Sequence, residues 1–318
     1  MKIVVLDGYL VGVGGRDWSP LSALGELTYY DVSTGADDVA GRIGDAEIAL
    51  TNRCPITADT IRACPNLKLL VSFGTGYNQI DLETATARGI TVCNCPGYGS
   101  GAVAQMAAAL LFEIVRQTSV FDHYVKTTGW NEPVDPAICA IRQFELTGKT
   151  IGIVGLGDIG FCLARIAMAM DMKVLAYRRS PDRSLEGPQL RFCTLEELLE
   201  KSDVVSLHCP LTDQTRGLID AGALAKMKPG AILLNTARGA VVDEEAVIAA
   251  LDSGRLYAYG TDVFCTEPCA QSPIARHPRC VAAPHVAWMP EETRDRVIAI
   301  AAENIAAFLR GERKNVVN

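Results

Sequence analysis

The sequence predicts an α/β protein with two doubly wound parallel-sheet domains, and two observations carry this prediction. Short runs of apolar and β-branched residues alternate with segments of helical apolar spacing along nearly the whole chain, which is typical of parallel sheets covered by helices. The 318 residues also suit two domains, and an apolar content of 49% can fill two cores. We therefore expect two lobes with a cleft between them.

The first lobe is predicted over residues 1–98. Its strands are expected at 2–7, 27–30, 46–50, 67–72 and 90–93, and its helices at 18–24, 36–43, 57–63 and 82–88. Gly12-x-Gly14-Gly15 lacks the spacing of a nucleotide-binding turn, so we interpret it as a loop.

A glycine-bearing turn with Gly74, Thr75 and Gly76 follows the fourth predicted strand. In open α/β sheets ligands lie beyond the carboxyl ends of strands, where the N–H groups of such a turn can hold a carboxylate. These three residues are candidates for substrate binding. The alternative is a turn that only changes the direction of the chain.

The second lobe is predicted over residues 99–289. A long apolar helix at 102–116 is followed by an irregular excursion at 118–147. Strands are expected at 150–154, 173–177, 204–207, 231–235, 258–262 and 280–283, and helices at 159–170, 194–201, 220–227 and 244–253. The last helix, at 291–309, is expected to pack back onto the first lobe, which then comprises residues 1–98 and 290–318.

The second lobe contains a phosphate-binding turn, Gly155-x-Gly157-x-x-Gly160, between a predicted strand and a predicted helix. Gly155 permits a tight turn, Gly157 lets the backbone approach a pyrophosphate, and Gly160 allows close packing of helix on strand. The diphosphate would then lie at the helix N-terminus, which favours an anion. This pattern predicts a Rossmann domain that binds a dinucleotide. The alternative is a tight turn without a nucleotide.

The second strand of this unit ends at Tyr177 and is followed by Arg178 and Arg179, whereas an NAD site usually has an acidic residue there. Two guanidinium groups can hold a 2′-phosphate, and no carboxylate repels it. The sequence therefore predicts NADP as the preferred cofactor, with NAD as the alternative if both arginines are simply solvated.

Composition argues against several other classes of protein. A net charge of −7 without a long basic cluster argues against a nucleic-acid partner. Asp7 interrupts the first apolar run, and no uninterrupted apolar segment has membrane length, so we expect a cytoplasmic protein without a membrane partner. The eleven cysteines are odd in number and irregularly spaced, which favours reduced thiols and gives no metal-binding pattern.

Three segments of the second lobe carry reactive side chains at predicted strand ends. They contribute Arg238, the carboxylates Asp262 and Glu267, and His285. An arginine can hold a carboxylate with two hydrogen bonds, and a histidine held by a carboxylate can donate a proton near neutral pH. This combination suits the reduction of a 2-oxo acid. Each residue alone has an ordinary structural alternative.

The same segments carry a resemblance to a known family. The chain resembles the D-isomer-specific 2-hydroxyacid dehydrogenases over nearly its whole length. The motifs that carry the resemblance are GLGDIG at 155–160, LHCPLTDQTRGLID at 207–220, MKPGAILLNTARGAVVDEEAV at 227–247, GTDVFCTEP at 260–268 and PHVAW at 284–288. The resemblance implies that Arg238 binds the substrate carboxylate, that His285 is the general acid/base, and that Glu267 pairs with His285 and raises its pKa.

The resemblance also implies contacts with the cofactor and a homodimer formed through the 102–145 region. The cofactor contacts would come from Asp158 and Ile159 at the pyrophosphate, Cys209, Pro210 and Thr215 on the adenosine side, and Thr236, Ala237 and Asp262 near the nicotinamide.

Trp288 and TGYNQIDL at 75–82 resemble the glycerate dehydrogenase or hydroxypyruvate reductase branch of the family. A bulky indole in the cleft should favour short small-molecule substrates such as hydroxypyruvate and glyoxylate. The alternatives are a D-lactate- or phosphoglycerate-type dehydrogenase, for which Arg53 alone is a small basic contribution, and a dinucleotide-sensing corepressor.

Overall fold

The computed structural model describes residues 1–130 and 132–318 and divides into two compact units. The first comprises residues 1–99 and 288–318, and the second comprises residues 100–287. The sequence had placed these boundaries one or two residues away. Each unit contains its own parallel sheet, so the predicted fold class, with two doubly wound parallel sheets, is confirmed.

The first unit has a five-stranded sheet with strand order β2-β1-β3-β4-β5, the flavodoxin-like order. All of its strand pairs are parallel. The strands are β1 (Lys2–Val5), β2 (Glu26–Tyr29), β3 (Ile48–Thr51), β4 (Leu69–Ser72) and β5 (Thr91–Cys93). The helices are α1 (Tyr9–Gly12), α2 (Ser19–Ser22), α3 (Ala36–Ile43), α4 (Ala58–Ala63) and α5 (Leu82–Ala87).

The interior strands of this sheet are buried on both faces, as expected for strands covered by helices on either side. All four residues of β3 and of β4 are buried, whereas the edge strand β2 is largely exposed. Two of its helices begin where a polar side chain accepts a backbone hydrogen bond: Thr57 caps α4 and Asp81 caps α5.

The second unit has a seven-stranded sheet with order β12-β11-β10-β9-β6-β7-β8. Counted from β6, the first six strands follow the Rossmann order 3-2-1-4-5-6. The strands are β6 (Thr150–Val154), β7 (Lys173–Tyr177), β8 (Leu190–Phe192), β9 (Val204–Leu207), β10 (Ala231–Asn235), β11 (Leu256–Thr261) and β12 (Cys280–Ala282). The helices are α6 (Ser100–Arg116), α7 (Thr118–Thr127), α8 (Pro136–Cys139), α9 (Asp158–Ala169), α10 (Leu195–Lys201), α11 (Ala221–Lys226) and α12 (Glu244–Asp252).

The last helix, α13 (Glu291–Leu309), belongs to the first unit, as the sequence predicted. It packs against α2 and β4. Its inward face includes Val297, Ile298 and Ile305, which are at most 2% exposed. Burial of this stripe is what returns the C-terminal segment to the sheet that the N-terminal residues begin.

Two predictions about the second unit were wrong. The excursion at 118–147 is not wholly irregular, because it contains α7 and α8. No residue of α7 is buried, although the helix carries apolar side chains such as Val120 and Val125. At its start Glu113 accepts hydrogen bonds from the hydroxyls of Thr118 and Ser119. The strand β8 was missed because the exposed Arg191 separates its two buried apolar residues, so that it has no continuous apolar run.

Candidate functional site

The predicted phosphate-binding turn lies at the carboxyl end of β6 and leads into α9. Gly155 has φ 96°, and a Cβ there would lie 2.7 Å from the backbone nitrogen of Cys209. A Cβ on Gly160 would lie 2.4 Å from the carbonyl oxygen of Gly155. Both positions therefore require glycine. A Cβ on Gly157 would meet nothing within 4 Å, so the space before the helix N-terminus is open to a ligand.

The first turn of α9 fits an anionic ligand in a further respect. Its backbone N–H groups have no partner within the helix, and the helix dipole places partial positive charge there. The exposed Asp158 and the half-buried Ile159 form this turn. Since the one open glycine position faces the same end of the helix, the residues present fit a pyrophosphate.

Arg178 and Arg179 are exposed and follow β7. The guanidinium of Arg178 donates to the carbonyl oxygen of Leu156, inside the phosphate-binding turn, over 3.3 Å. That of Arg179 donates to Gln214 over 3.3 Å. The structure thus brings Arg178 against the turn that the sequence assigns to the dinucleotide.

The loop that follows β9 contains Cys209, Pro210 and Thr215. The hydroxyl of Thr215 donates to the carbonyl oxygen of Pro210 over 2.6 Å and accepts the N–H of Thr212 over 2.8 Å, which fixes the shape of the loop. Burial raises the pKa of the Cys209 thiol to about 11. This thiol is therefore a packing group beside Gly155 and is protonated near neutral pH.

The loop after β10 presents Arg238 and is held by the fully buried side chain of Asn235. Asn235 accepts the N–H of Ala237 over 3.0 Å and donates to the carbonyl oxygen of Arg238 over 2.9 Å. The guanidinium of Arg238 donates to the carbonyl oxygen of Ala237 over 2.7 Å. The hydroxyl of Thr236 is buried without a hydrogen-bond partner among the described residues, which leaves a polar atom for a bound cofactor.

The buried carboxylate of Asp262 fixes the chain immediately after His285. One oxygen accepts the N–H of Val286 and the other accepts the N–H of Ala287, each over 2.9 Å. Burial raises the pKa of Asp262, although these two hydrogen bonds act in the opposite direction. Both oxygens are committed to the histidine loop, so the contact that Asp262 makes here is with protein backbone.

His285 and Glu267 form a hydrogen-bonded pair. Imidazole Nδ1 lies 2.6 Å from carboxylate Oε2, and the side chains are 27% and 28% exposed. An ionised carboxylate only accepts hydrogen bonds, so Nδ1 carries the proton. The other carboxylate oxygen accepts the N–H of Phe264 over 3.0 Å, which fixes Glu267.

The backbone of His285 is in the left-handed region, with φ 56°. Such a conformation is uncommon for a residue with a side chain and costs on the order of 1 kcal/mol or more. The carboxylate of Asp262 accepts the N–H groups of Val286 and Ala287, and these two hydrogen bonds hold His285 in this conformation. The loop is therefore built to give this imidazole one orientation.

The other three histidines have structural surroundings. His123 is exposed on α7, and His277 lies 3.2 Å from Asp252. Nε2 of His208 is hydrogen-bonded to the hydroxyl of Ser206 over 2.8 Å, while its Nδ1 is buried without a described partner. Burial lowers the pKa of His208 to about 4. Histidines in these settings are poor candidates for acid/base chemistry.

The glycine turn of the first unit is braced from two sides. Ser72 donates to the carbonyl oxygen of Gly76 over 2.8 Å, and Asn94 donates to that of Thr75 over 2.8 Å. Gln79 donates both to the Ser72 hydroxyl, over 2.9 Å, and to the carbonyl oxygen of Asn52, over 3.0 Å. The turn is thus rigid enough to present its N–H groups in a fixed direction.

Trp288 is 6% exposed and packs against Tyr98, with ring centroids 6.5 Å apart. The hydroxyl of Tyr98 lies 3.7 Å from where a Cβ of Gly74 would be. Within the first unit, the structure therefore brings Trp288, Tyr98 and the glycine turn into one neighbourhood.

Sequence reasoning missed the part played by Asp7, which follows β1. Its carboxylate accepts the N–H groups of Asn52, Arg53 and Cys54, the last over 2.8 Å. Burial raises its pKa against these bonds. An acidic residue directly after a buried strand is the signal that could have marked it, because such a residue lies at the edge where parallel strands end together.

No group of three or more His, Cys, Asp or Glu side chains within residues 1–130 and 132–318 is arranged to hold a metal ion. Over the same ranges, none of the helices combines the length and the apolar character needed to cross a bilayer. All eleven cysteines are free thiols.

The fold and these contacts define a dinucleotide-binding oxidoreductase with an imidazole–carboxylate pair. Residues 108–287 match the profile described as "D-isomer specific 2-hydroxyacid dehydrogenase, NAD binding domain". The chain is 42% identical over 321 residues to a hydroxypyruvate reductase of Blautia hydrogenotrophica, with all of both chains covered. It is 41% identical over 260 residues to a glyoxylate reductase of Thermofilum pendens, covering 81% of this chain and 76% of that protein.

A solved structure shares the fold of the whole chain. An acyclic imino acid reductase in complex with NADPH and D-Arg superposes with a TM-score of 0.89 at 29% identity, with both chains fully covered. The chain therefore belongs to the D-isomer-specific 2-hydroxyacid dehydrogenase family, as the sequence motifs had indicated. It is an NAD(P)-dependent enzyme that reduces 2-oxo acids.

Proposed function

We propose that the protein reduces hydroxypyruvate or glyoxylate to the corresponding 2-hydroxy acid, with NADPH as the preferred cofactor. The relatives that support the substrate class are a hydroxypyruvate reductase, a glyoxylate reductase and a glycerate dehydrogenase. The observation that carries the proposal is the 2.6 Å hydrogen bond between His285 and Glu267, on a loop whose backbone Asp262 holds at Val286 and Ala287.

In this proposal Arg238 binds the substrate carboxylate and orients the carbonyl. Within the first unit, the backbone N–H groups of Gly74, Thr75 and Gly76 are separate candidates for donors to a carboxylate. The hydride for the 2-carbon would come from the dihydronicotinamide cofactor that the turn at Gly155, Gly157 and Gly160 would hold. His285 donates its Nε2 proton to the carbonyl oxygen, so that the product carries the new hydroxyl and the imidazole becomes neutral. Glu267 stays ionised and holds Nδ1–H throughout, which keeps Nε2 as the nitrogen that exchanges the proton.

The test of this acid/base assignment is His285→Ala, with His123→Ala as the matched control because His123 is exposed on α7. Loss of a general acid lowers kcat by about 10²–10⁴-fold, while the control keeps wild-type kcat. Initial rates with glyoxylate and hydroxypyruvate measure both. A loss below tenfold in His285→Ala would mean that another group delivers the proton.

The cofactor preference rests on Arg178 and Arg179, which stand where an acidic residue would select NAD. Arg178→Gln should raise the KM for NADPH by about tenfold or more, the value of a charge-assisted hydrogen bond, and leave the KM for NADH within twofold. Arg183→Gln, an exposed arginine paired with Glu186, is the control. Equal kcat/KM with both cofactors in the wild type would contradict the preference.

The preference for short substrates rests on Trp288. Trp288→Ala should raise kcat/KM for a longer 2-oxo acid, such as 2-oxoisocaproate, relative to that for glyoxylate. If no 2-oxo acid is turned over with either cofactor, although the cofactor binds, the protein is a dinucleotide-sensing binding protein instead.

We also propose a homodimer formed through the 102–145 region. The support is a set of exposed apolar side chains on α6 and α7: Phe112, Val120 and Val125 are 41%, 43% and 49% exposed. Val125→Glu should shift the mass measured by light scattering towards the monomer, whereas Val32→Glu, at an equally exposed position of the first unit, should not. A wild-type protein that is monomeric at micromolar concentration would refute the proposal.

A further inference from the structure

The second unit has a cleft at the amino-terminal ends of its strands, whereas the phosphate-binding turn lies at their carboxyl ends. It is lined by residues that directly precede three adjacent strands: Lys149 before β6, Asp203 before β9, and Lys228 to Gly230 before β10. Its volume is about 210 Å³. Because β6 is five residues long, roughly 16 Å of strand separates this cleft from the turn at Gly155. A ligand here would occupy a place distinct from the dinucleotide.

The cleft carries an excess of positive charge. Arg142, Lys149 and Lys228 line it, and the one acidic side chain in its lining is Asp203. Asp203 is already paired, because it accepts a hydrogen bond from Lys228 over 2.9 Å and from the Thr150 N–H over 2.8 Å. Burial acts to raise its pKa, but these bonds and the nearby lysines outweigh it and lower the pKa. Two of the three positive charges thus remain uncompensated within the lining.

Arg142 is held in place by aromatic rings. Its guanidinium carbon lies 4.4 Å from the ring centroid of Phe144 and 5.3 Å from that of Tyr257, and the two rings meet edge to face at 4.6 Å. Cation–π contacts with two rings restrict the position of a guanidinium and do not use its N–H donors. The side chain of Lys149 is half-buried and makes no hydrogen bond or ion pair with any residue that the structure describes.

We propose that this cleft binds a small anion that carries two or more negative charges, of the phosphate and polycarboxylate class. Three cationic groups converge on a volume suited to one such ion, and the apolar side chains of Val115, Leu146 and Ile232 form the remaining wall. A monovalent anion would leave one charge uncompensated. Charge-assisted hydrogen bonds from a fixed guanidinium and two ammonium groups supply both affinity and a requirement for multiple charge.

The experiment is calorimetric titration of the full-length protein with inorganic phosphate and, separately, with citrate, at an ionic strength held constant with sodium chloride. The variant is Lys149→Gln, and the matched control is Lys173→Gln, an exposed lysine that begins β7 on the same edge of the sheet. Loss of one charge-assisted hydrogen bond should weaken binding of at least one of the two anions by about tenfold or more. The control should bind as the wild type does.

Two results would overturn the proposal: a wild type that binds neither anion at about 10 mM, a concentration that would nearly saturate a site with a Kd of about 1 mM, or equal affinities of Lys149→Gln and wild type. The second outcome would place any bound phosphate elsewhere, for example at the helix N-terminus beside Gly157. Lys149→Arg should restore binding, since it restores the charge. Circular dichroism and the melting temperature in chloride establish that each variant is folded.

Arg142→Gln gives an independent arm. It should weaken the same anion and lower the melting temperature in chloride only slightly, because its guanidinium contacts two rings and forms no hydrogen bond with any residue that the structure describes. Since residue 142 lies in the segment proposed for the subunit contact, the oligomeric state of the variant is measured first. If the state is unchanged and the affinity is unchanged, the guanidinium does not contact the anion and the assignment fails.

Discussion

Gly239 lies in the loop that presents Arg238 and packs against the loop that carries Glu267. Its replacement should lower the rate without removing any reactive group. A Cβ at this position would lie 1.9 Å from the backbone carbon of Phe264 and 2.3 Å from the backbone nitrogen of Cys265. Ordinary contact begins at 3.4 Å, so Gly239→Ala must separate the two loops by about 1.5 Å. Neither loop can give way by a side-chain rotation, because the clashing atoms belong to the backbone.

A displacement of this size misaligns Arg238 relative to the Glu267–His285 pair. A misplacement of about 1 Å costs on the order of 10²-fold in rate, and overpacking costs about 1–3 kcal/mol of stability. We therefore expect kcat/KM with glyoxylate to fall by about 10²-fold in protein that remains folded at 25 °C.

The control is Gly187→Ala, since a Cβ there meets nothing within 4 Å and the residue is exposed. Steady-state kinetics and thermal unfolding measure both variants. A Gly239→Ala protein with kcat/KM within threefold of the wild type would show that the separation of these loops does not govern the reaction, and the reasoning would be refuted.

Three further outcomes follow from buried charges. His208 has a folded pKa of about 4 against 6.5 unfolded, so its contribution to stability is complete above pH 6.5 and is lost, by about 3 kcal/mol, as the pH drops towards 4. Urea unfolding at pH 7 and pH 5 should show this loss of stability. His208→Gln should remove the pH dependence, whereas His123→Gln should leave it. Asp7→Asn should lower the free energy of unfolding by about 1–3 kcal/mol, whereas the exposed Asp45→Asn should change it much less. Equal effects of the two substitutions would show that Asp7 does not brace the loop that begins at Asn52. Asp262→Asn replaces one of the two carboxylate oxygens that hold the loop after His285 by an NH₂ donor. The kcat should therefore fall by about tenfold or more, as loss of a buried hydrogen bond implies. An unchanged kcat would show that the loop keeps its conformation without Asp262.

Most of the sheet architecture could be predicted because its signals are local. The strands that end at Val154, Tyr177, Leu207 and Asn235 have the bounds that the sequence indicated. These are buried, β-branched runs between polar turns, and burial on both faces gives a parallel strand its continuous apolar pattern. Elements without such burial escaped prediction, as α7 and the three-residue β8 show.

The residues of the candidate site stay a prediction from the sequence, and the groups that support them had no signal in it. Arg238, Glu267 and His285 stand in motifs whose residue types announce their chemistry. Their bracing groups do not, because a buried Asn235 or Asp262 reads in sequence like any polar residue at a strand end. Only coordinates reveal that Asp262 uses both oxygens on the backbone that follows the histidine.

The supports explain why the site tolerates a strained residue at its centre. A left-handed His285 would relax if the chain after it were free, and the relaxed imidazole would turn away from Glu267. The buried carboxylate of Asp262 accepts two backbone hydrogen bonds that oppose this relaxation. Together these bonds outweigh a conformational cost of about 1–3 kcal/mol. The orientation of the imidazole is therefore determined before any substrate arrives, and the rate that His285 supports should depend on Asp262 as well as on its partner Glu267.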